Sequence, residues 1–248
     1  MENRKKPMIL KRRDKYKMYQ AMVQYEDLTP HLPVTKQWKG KEAFYQMLSD
    51  HRGLVIKPNR GLKGKNIFFV SKWNSTYYVQ MKDRSRTFKS MFSAYSYLNR
   101  RIKDTKYIMQ ERIFTARVKG KPFDIRVIVQ FNPKKKKWEV TGYKFRVAGK
   151  GMLITNANAG GNVVNYKEAM KFSSLPPSKQ KGLLKKAKEV SLRSAEIMGE
   201  CYEGHRMFGT DIGVSKDGEV VIFEINRRPL IRGFSKKHRN KIRQLQKM

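Results

Sequence analysis

Residues 209–226, GTDIGVSKDGEVVIFEIN, place two apolar runs on either side of Lys216-Asp217-Gly218-Glu219. An Asp-Gly pair between alternating apolar residues is a strong hairpin signal, because glycine readily takes the positive φ that a tight turn demands. With Asp217 and Gly218 as the two central turn residues, Asp211 falls directly opposite Glu224. Asn226 then follows Glu224 onto the same face, since strand side chains alternate. The same register sets Val220 and Ile222 on one face and Val221, Phe223 and Ile225 on the other. Facing carboxylates repel each other. A divalent cation between Asp211 and Glu224, with the Asn226 carbonyl as a third hard oxygen ligand, removes that repulsion, and such a set suits Mg²⁺. A half-solvated hairpin with one polar face is also an ordinary element of antiparallel sheets, so the pair points to metal only together with other residues of a site.

Composition bounds the rest. The chain has 248 residues, 39% hydrophobic and 11% aromatic, enough for a substantial core. Its 56 Lys and Arg against 20 Asp and Glu give a formal charge of +36. So basic a chain attracts nucleic acid, anionic polymer or anionic membrane surface at low salt whatever its role. Cys201 is the single cysteine, which excludes an internal disulfide and fits a reducing compartment; at the end of a helical pattern it reads as a structural thiol. No run approaches the length that spans a bilayer, and the charged N-terminus lacks the apolar core of a signal peptide, so a soluble, cytoplasmic protein is expected. His31, His51, His205 and His238 form no triad pattern and read as surface residues.

A helical pattern starts at Asp14 and ends before Thr29-Pro30, and residues 42–48 read as a short helix. Residues 54–58, LVIKP, form a strand that runs into a turn with Gly61 and Gly64, carrying Lys57, Arg60, Lys63 and Lys65. Glycine lets backbone N–H groups approach a phosphate, although such a turn also serves as a plain hairpin and lacks the P-loop pattern. Strands are expected over 77–81, 107–113 and 122–130, and a helix over 90–101. In PFDIRVIVQ, Asp124 and Arg126 share one face and Ile125, Val127 and Val129 the other; the two charges form a weak cross-strand or local ion pair or stand beside a nucleotide. Residues 134–137 read as a solvated hairpin tip before WEVTGYKFRV. ITNANAGG is a polar loop, and a long helix starts at Pro176-Pro177-Ser178. Residues 227–248 hold no acidic residue and form either a docked helix or a disordered arm.

In this order, LPVT, VIKPNRGLKGKNI, YIMQERI, FDIRVIV, a basic strand, TNANAGG, a helix and TDIG...FEIN resemble the ATP-grasp superfamily. PFDIRVIVQ, WEVTGYKFRV and TNANAGG are similar to its YheC/YheD branch, the endospore coat-associated proteins. The resemblance covers residues 11–229. It implies an α/β (α+β) fold of two subdomains clamping ATP: a basic lead-in over 1–34, a small subdomain over 35–109 and a large one over 110–248. Lys57 is implied to hold the nucleotide phosphates beneath the loop with Gly61, Gly64 and Lys65, and Lys15, less directly Lys17, matches an earlier phosphate lysine. Gln110, Glu111, Arg112 and Ile113 match the hinge that reads the adenine edge, and Asp124 stands in the nucleotide site. Arg126, Arg146 and Asn156 are the implied catalytic residues, with Gly160 and Gly161 letting their loop come close. Asp211, Glu224 and Asn226 match the Mg²⁺ ligands.

The implied chemistry is carboxylate activation: ATP phosphorylates a carboxylate, and an amine or thiol displaces phosphate from the acylphosphate. Metal ions and arginines stabilise the transferred charge, with no protein nucleophile. Two departures shape the expectation. The substrate domain that precedes the unit in many relatives is largely absent, so the acceptor site is expected to be open or completed by a partner. Arg227 and Arg228 follow Asn226 where ligases carry small residues, which implies an acidic substrate, such as a small molecule, a peptide or a cell-envelope polyanion. A non-catalytic, polyanion-binding or spore-associated structural protein on the same fold is the alternative. Nonspecific nucleic-acid binding follows from charge alone, without a recognisable RNA-binding motif.

Overall fold

The computed structural model describes residues 7–61, 64–102, 106–155 and 160–248. Its strands build two antiparallel sheets. The first runs in the order β1-β6-β2-β3-β4-β5, from β1 (Thr35–Gln37), β2 (Gly53–Pro58), β3 (Phe68–Trp73), β4 (Thr76–Met81), β5 (Arg84–Phe88) and β6 (Tyr107–Glu111). The second has β7 (Arg117–Val118) paired to one end of β8 (Lys121–Asn132), together with β9 (Lys137–Val147), β10 (Asn162–Val164), β11 (Met207–Val214) and β12 (Val220–Asn226), in the order β10-β9-β8-β11-β12.

Each sheet buries one face. Leu54 and Ile56 of the central strand β2 point to the same side and pack with Phe44, Met47 and Leu48 of α2 (Lys41–Asp50) and Leu98 of α3 (Met91–Asn99). Those α2 residues recur at helical spacing, and Ser90 starts α3 by accepting from the Ser93 N–H. Lys57, the next residue after Ile56, emerges on the opposite side. In the second sheet Ile125, Val127 and Val129 point into a core covered by α6 (Leu183–Cys201), which leaves Asp124, Arg126 and Ile128 on the other face. The expected single helix from Pro176 is two: α5 (Pro177–Gln180) stops and Gly182, at φ +77°, restarts the chain as α6. A left-handed residue cannot continue an α-helix.

The lead-in belongs to this second core. Asp14 caps α1 (Lys15–Met22) by accepting from the Lys17 N–H, and Met18, Ala21, Met22, Leu28 and Leu32 pack with residues of α6 and its sheet. On the outer side of β9, Asn165 caps α4 (Tyr166–Lys171). The basic C-terminus is a docked helix: α7 (Lys236–Gln246), capped by Ser235, inserts Ile242 beside Phe234 and Ile128 on the face opposite α6.

The β11–β12 hairpin pairs Asp211 with Glu224, but by a different route from the expected two-residue turn. Ser215 N–H donates to Glu219 O at 2.9 Å, so Lys216, Asp217 and Gly218 form a three-residue loop with Gly218 at φ +87°. Ile212 therefore faces Ile222, and the register shifts between Ile212 and Asp211, leaving Phe223 as a bulge. The bulge changes which residues share a face. Val220, Ile222 and Ile225 all enter the core, while Glu224 and Asn226 stand on the other side. The expected grouping of Phe223 with Ile225, and of Ile222 with Glu224, is corrected by this extra residue.

Candidate functional site

On the open face of the second sheet, arginines and carboxylates alternate across strands. Register sets Arg126 on β8 beside Asp211 on β11, and Asp124 beside Arg146 on β9. Arg126 clasps Asp211 with both Nε and Nη2, the latter at 2.7 Å from Oδ2. Arg146 donates to Asp124 at 2.6 and 2.5 Å and reaches Asp211 Oδ1 at 2.9 Å. Thr155 Oγ1 donates to Asp124 Oδ2 at 2.5 Å. Asp124 and Arg126, neighbours on one strand face, thus each pair with a different strand rather than with each other. Burial disfavours the Asp211 carboxylate, yet Arg126 and Arg146 outweigh it and hold its pKa well below the usual carboxylate range. Burial likewise opposes the charge of Arg146, and Asp124 and Asp211 push its pKa up. Forked, two-point pairs of this kind are the geometry in which a desolvated ion pair recovers its hydration cost.

Glu224 and Asn226 complete this face. Asn226 Nδ2 lies 3.4 Å from Asp211 Oδ2, so the two carboxylates and the amide form one contiguous oxygen-rich patch. Arg13 bonds Glu224 and donates to Asn226 Oδ1 at 3.2 Å. It is delivered there by residues fixed over the end of α6: Leu10 N–H donates to Cys201 O at 2.8 Å and the Tyr202 hydroxyl to Arg12 O at 3.1 Å.

Two lysines held by neutral oxygens meet at the end of β2, Lys57 from the first sheet and Lys15 from the start of α1. Lys57 Nζ donates to Gln110 Oε1 at 2.8 Å and to the Phe223 carbonyl at 3.0 Å, so the β12 bulge is what joins the two sheets here. Gln110 is oriented in turn by donating to Thr35 Oγ1 at 3.0 Å. Lys57 is only 7% exposed, and burial lowers its pKa despite the favourable charges of Glu224 and Asp211. Lys15 Nζ donates to the carbonyls of Pro58, Asn59 and Gly61 at 2.9, 3.3 and 2.8 Å and stands 3.9 Å from Glu224 Oε1. Burial dominates its pKa too, bringing it to about 8.

The other expected site residues lie as follows. Gly61 packs on Pro58, Gly64 is at φ +69° and Lys65 is exposed. Glu111 ends β6 with Oε1 3.6 Å from His51 Nδ1. Arg112 N–H donates to Gly53 O at 2.9 Å while its side chain approaches Phe69 and Phe114; burial, then Arg117, lowers its pKa to about 10. Ile113 is half-buried beyond β6. Gly160, at φ +72°, and Gly161 border residues 156–159, and Asn156 lies outside the described residues. Arg227 and Arg228 follow Asn226 at the end of β12. Arg227 alternates away from Asn226 and stacks over Tyr202 at 4.2 Å, with Nη1 near Lys11 O, and Arg228 is exposed.

The histidines are not surface residues as a class. His31 is 8% exposed and bonds the Val220 carbonyl at 2.7 Å, and His205 bonds Arg227 O at 2.7 Å. Both tie loops to β12. Burial pushes the Cys201 thiol up to about 11, which leaves it protonated and unreactive. Sequence reading did not single out Arg13, Thr155 or Lys144, which all stand at or beside this face. Arg13 is hidden in the basic run LKRRDK, and Thr155 opens TNANAGG without a pattern of its own to mark its hydroxyl.

Asp211, Glu224 and Asn226 together offer hard oxygen donors on one face, and this donor set fits Mg²⁺ once Arg13 withdraws from Glu224 and Asn226 and Asp211 shares its oxygens between the ion and the arginines that now hold them. The surrounding cations suit an anionic ligand. Among the described residues no helix is long and apolar enough to cross a membrane.

Comparison with known proteins agrees with this layout. The family described as YheC/D like ATP-grasp matches residues 10–248. The endospore coat-associated protein YheD of Bacillus subtilis (strain 168) is 25% identical over 222 residues, covering 87% of this chain and 48% of YheD. YheC of the same organism is 23% identical over 220 residues, covering 87% of this chain and 60% of YheC. This chain therefore spans about half to three fifths of the length of those relatives. The solved structure of the ATP-grasp ligase PsnB with a minimal precursor superposes with a TM-score of 0.53 at 16% identity, over 94% of this chain and 60% of that one. With two antiparallel sheets joined where Lys57 bonds the bulge of the Asp211–Glu224 hairpin, the chain belongs to the YheC/D-like ATP-grasp family.

Proposed function

We propose that this chain is an ATP- and Mg²⁺-dependent ligase that joins a carboxylate to an amine or thiol through an acylphosphate, with an acidic or polymeric substrate. The observation that carries the reading is the contiguity of Asp211, Glu224 and Asn226 with Lys57, linked through the Phe223 carbonyl. In this reading residues 35–109 and 110–248 act as the two jaws. Lys57 and Lys15 exchange carbonyl and amide oxygens for phosphate oxygens. Gln110 to Ile113 border the adenine, and the glycines at 61, 64, 160 and 161 let backbone approach the phosphates. Asp211, Glu224 and Asn226 would hold Mg²⁺, which when bound supplies charge neutralisation of the phosphates. Arg126 and Arg146, fixed by Asp211 and Asp124, present N–H groups to the transferred phosphoryl group, with Asn156 assigned beside them. Preorganised donors of this type stabilise charge that develops in the transition state. The names of the B. subtilis relatives support a spore-related setting for the substrate.

Equilibrium titration with ATP in about 0.5 M salt, with and without Mg²⁺, tests the reading, since screening removes the attraction that any chain of this charge exerts on phosphate. Saturable, Mg²⁺-dependent binding followed by phosphate release with acidic acceptors is expected. Binding that ignores Mg²⁺ and vanishes in salt overturns it. One observation favours a second reading, a non-catalytic polyanion-binding protein: Asp124, Asp211 and Glu224 are each already engaged by an arginine. In that case long polyanions bind and ATP turnover is absent under every condition.

A further inference from the structure

Lys144 differs from its neighbours Arg126 and Arg146 on the open face of the second sheet. It sits on β9 directly opposite Arg126 and points to the same side as Arg126 and Arg146. Those arginines are paired with carboxylates, whereas Lys144 makes no ion pair among the described residues. Its Nζ is positioned by the Arg232 carbonyl at 2.6 Å and lies 4.6 Å from the centre of the Phe234 ring. Burial, then Arg146 and Arg126, lowers its pKa to about 8. The ammonium group is thus held partly desolvated, beside two like charges, with one neutral oxygen as its partner. An arriving anion relieves both costs.

Gly233, at φ +81°, passes over Lys144, and a Cβ there would come within 3.4 Å of Nζ and 3.3 Å of Val163. Val163 is itself 46% exposed. The ammonium group therefore lies beside Gly233 and an exposed apolar side chain, next to Phe234 and α7 on this face. Its place also separates it from the nucleotide lysines. Lys57 meets the sheet at its β12 edge, and β9 lies three strands further across, about 14 Å at ordinary strand spacing.

We propose that Lys144 anchors a non-reacting carboxylate of the second substrate, an acidic peptide, and so takes the part that sequence had assigned to Arg227 and Arg228. The inference rests on the ligase reading for its sense of which ligand comes second, but the anion site is tested without turnover. Tri-glutamate is titrated against the full chain in about 0.3 M salt, and against Lys144→Met, Lys144→Arg and Lys185→Met, the last removing the same charge from a residue whose side chain is 83% exposed. Mg²⁺-ATP affinity is measured on the same samples. Lys144→Met should weaken tri-glutamate about tenfold or more, Lys144→Arg should restore most of it, and Lys185→Met should leave it within twofold, with ATP affinity unchanged in all three. The inference is overturned if tri-glutamate binds no tighter than tri-glutamine, or if Lys144→Met and Lys185→Met are alike. It is equally overturned if Lys144→Met weakens ATP instead, which makes Lys144 a phosphate ligand. Tri-glutamate binding through Lys144 in a chain that fails to bind Mg²⁺-ATP upholds the anion site and removes the ligase reading alone.

Discussion

Lys57 on the first sheet and Arg126 on the second are both buried cations a few residues from the same hairpin, yet they are held by different partners. Gln110 Oε1 and the Phe223 carbonyl hold Lys57, and Lys15 beside it rests on the carbonyls of Pro58, Asn59 and Gly61. Asp211 clasps Arg126, and Asp124 clasps Arg146. A lysine bonded to neutral oxygens can change partners for phosphate without breaking an ion pair. An arginine inside a two-point pair cannot leave without stranding a buried carboxylate. One wall is therefore built to exchange ligands, the other to stay in place, and substitutions on the two walls should separate binding from stability.

The largest effect belongs to Asp211→Asn. It takes the charge from the residue that both Arg126 and Arg146 contact, and breaking such a buried network costs about 3–5 kcal/mol. Urea unfolding should report that loss, and Mg²⁺-dependent ATP turnover should disappear with it. The pH dependence carries a sign. Because Arg126 and Arg146 depress the folded-state pKa of Asp211, its stabilising contribution is complete above the ordinary carboxylate range and is lost as pH falls through that range towards the folded value. The acid limb of the stability curve should flatten in Asp211→Asn. An unchanged limb would mean the pairing in the second sheet contributes nothing.

Lys57→Met should do the reverse: nucleotide affinity falls about a hundredfold, the scale of two charge-assisted hydrogen bonds, while stability changes by no more than about 1 kcal/mol. Removing a desolvated charge offsets the loss of partners for Gln110 and Phe223. Lys15 adds a pH signature. With a folded-state pKa near 8 against the ordinary 10.5, the unfolded chain binds the extra proton between those values, so stability rises with pH there. Nucleotide affinity falls over the same window as the ammonium group is lost. If titration from pH 7 to 10 leaves affinity flat, Lys15 does not touch the phosphates.

Much of this division was legible before any coordinates, though one part came out right through two offsetting differences. The Asp-Gly signal located the hairpin and set Asp211 opposite Glu224. The turn holds three residues rather than two, and the Phe223 bulge returns the register to the expected pairing. Local periodicity cannot reveal a bulge, because the extra residue is read by the facing strand alone. Lys57 stood out beside a glycine-bearing turn and Lys15 only through the family resemblance, and the structure brings both close to Glu224. The arginine pairs were legible in kind only: a cross-strand or a local ion pair was expected of Asp124 and Arg126, and only the registers of β8 with β9 and β11 show that both are cross-strand and name the partners. β5 was missed for a related reason. Its RSRTF is too polar and exposed to register as a strand, and edge pairing with β4 alone fixes it.

Arg13 blurs the contrast between the walls, since it is an arginine that arrives from the lead-in and not from a sheet. Its pair with Glu224 is less enclosed, with side chains 19% and 25% exposed, so Arg13→Ala should cost no more than about 1 kcal/mol. Freed of that cation, Glu224 and Asn226 should bind Mg²⁺ several-fold more tightly in the absence of nucleotide, as read by calorimetric titration. Weaker Mg²⁺ binding in Arg13→Ala would instead make Arg13 a positioning residue for the carboxylate.

The smallest effect on binding tests the joint between the walls. A Cβ added at Gly213 would overlap the Phe223 ring, which lies directly over that glycine because the bulge turns it there. Gly213→Ala must displace the ring, and overpacking of this kind costs about 1–3 kcal/mol. The Phe223 carbonyl moves with it, and that carbonyl is the bond by which β12 holds Lys57. Nucleotide affinity should therefore drop by a few-fold although residue 213 contacts neither phosphate nor metal in the proposed site. A compensating Phe223→Leu in the same chain should recover stability and affinity together, since it gives the new methyl group room and leaves the backbone carbonyl free to return. If stability recovers and affinity does not, the link between the sheets runs through something other than the bulge.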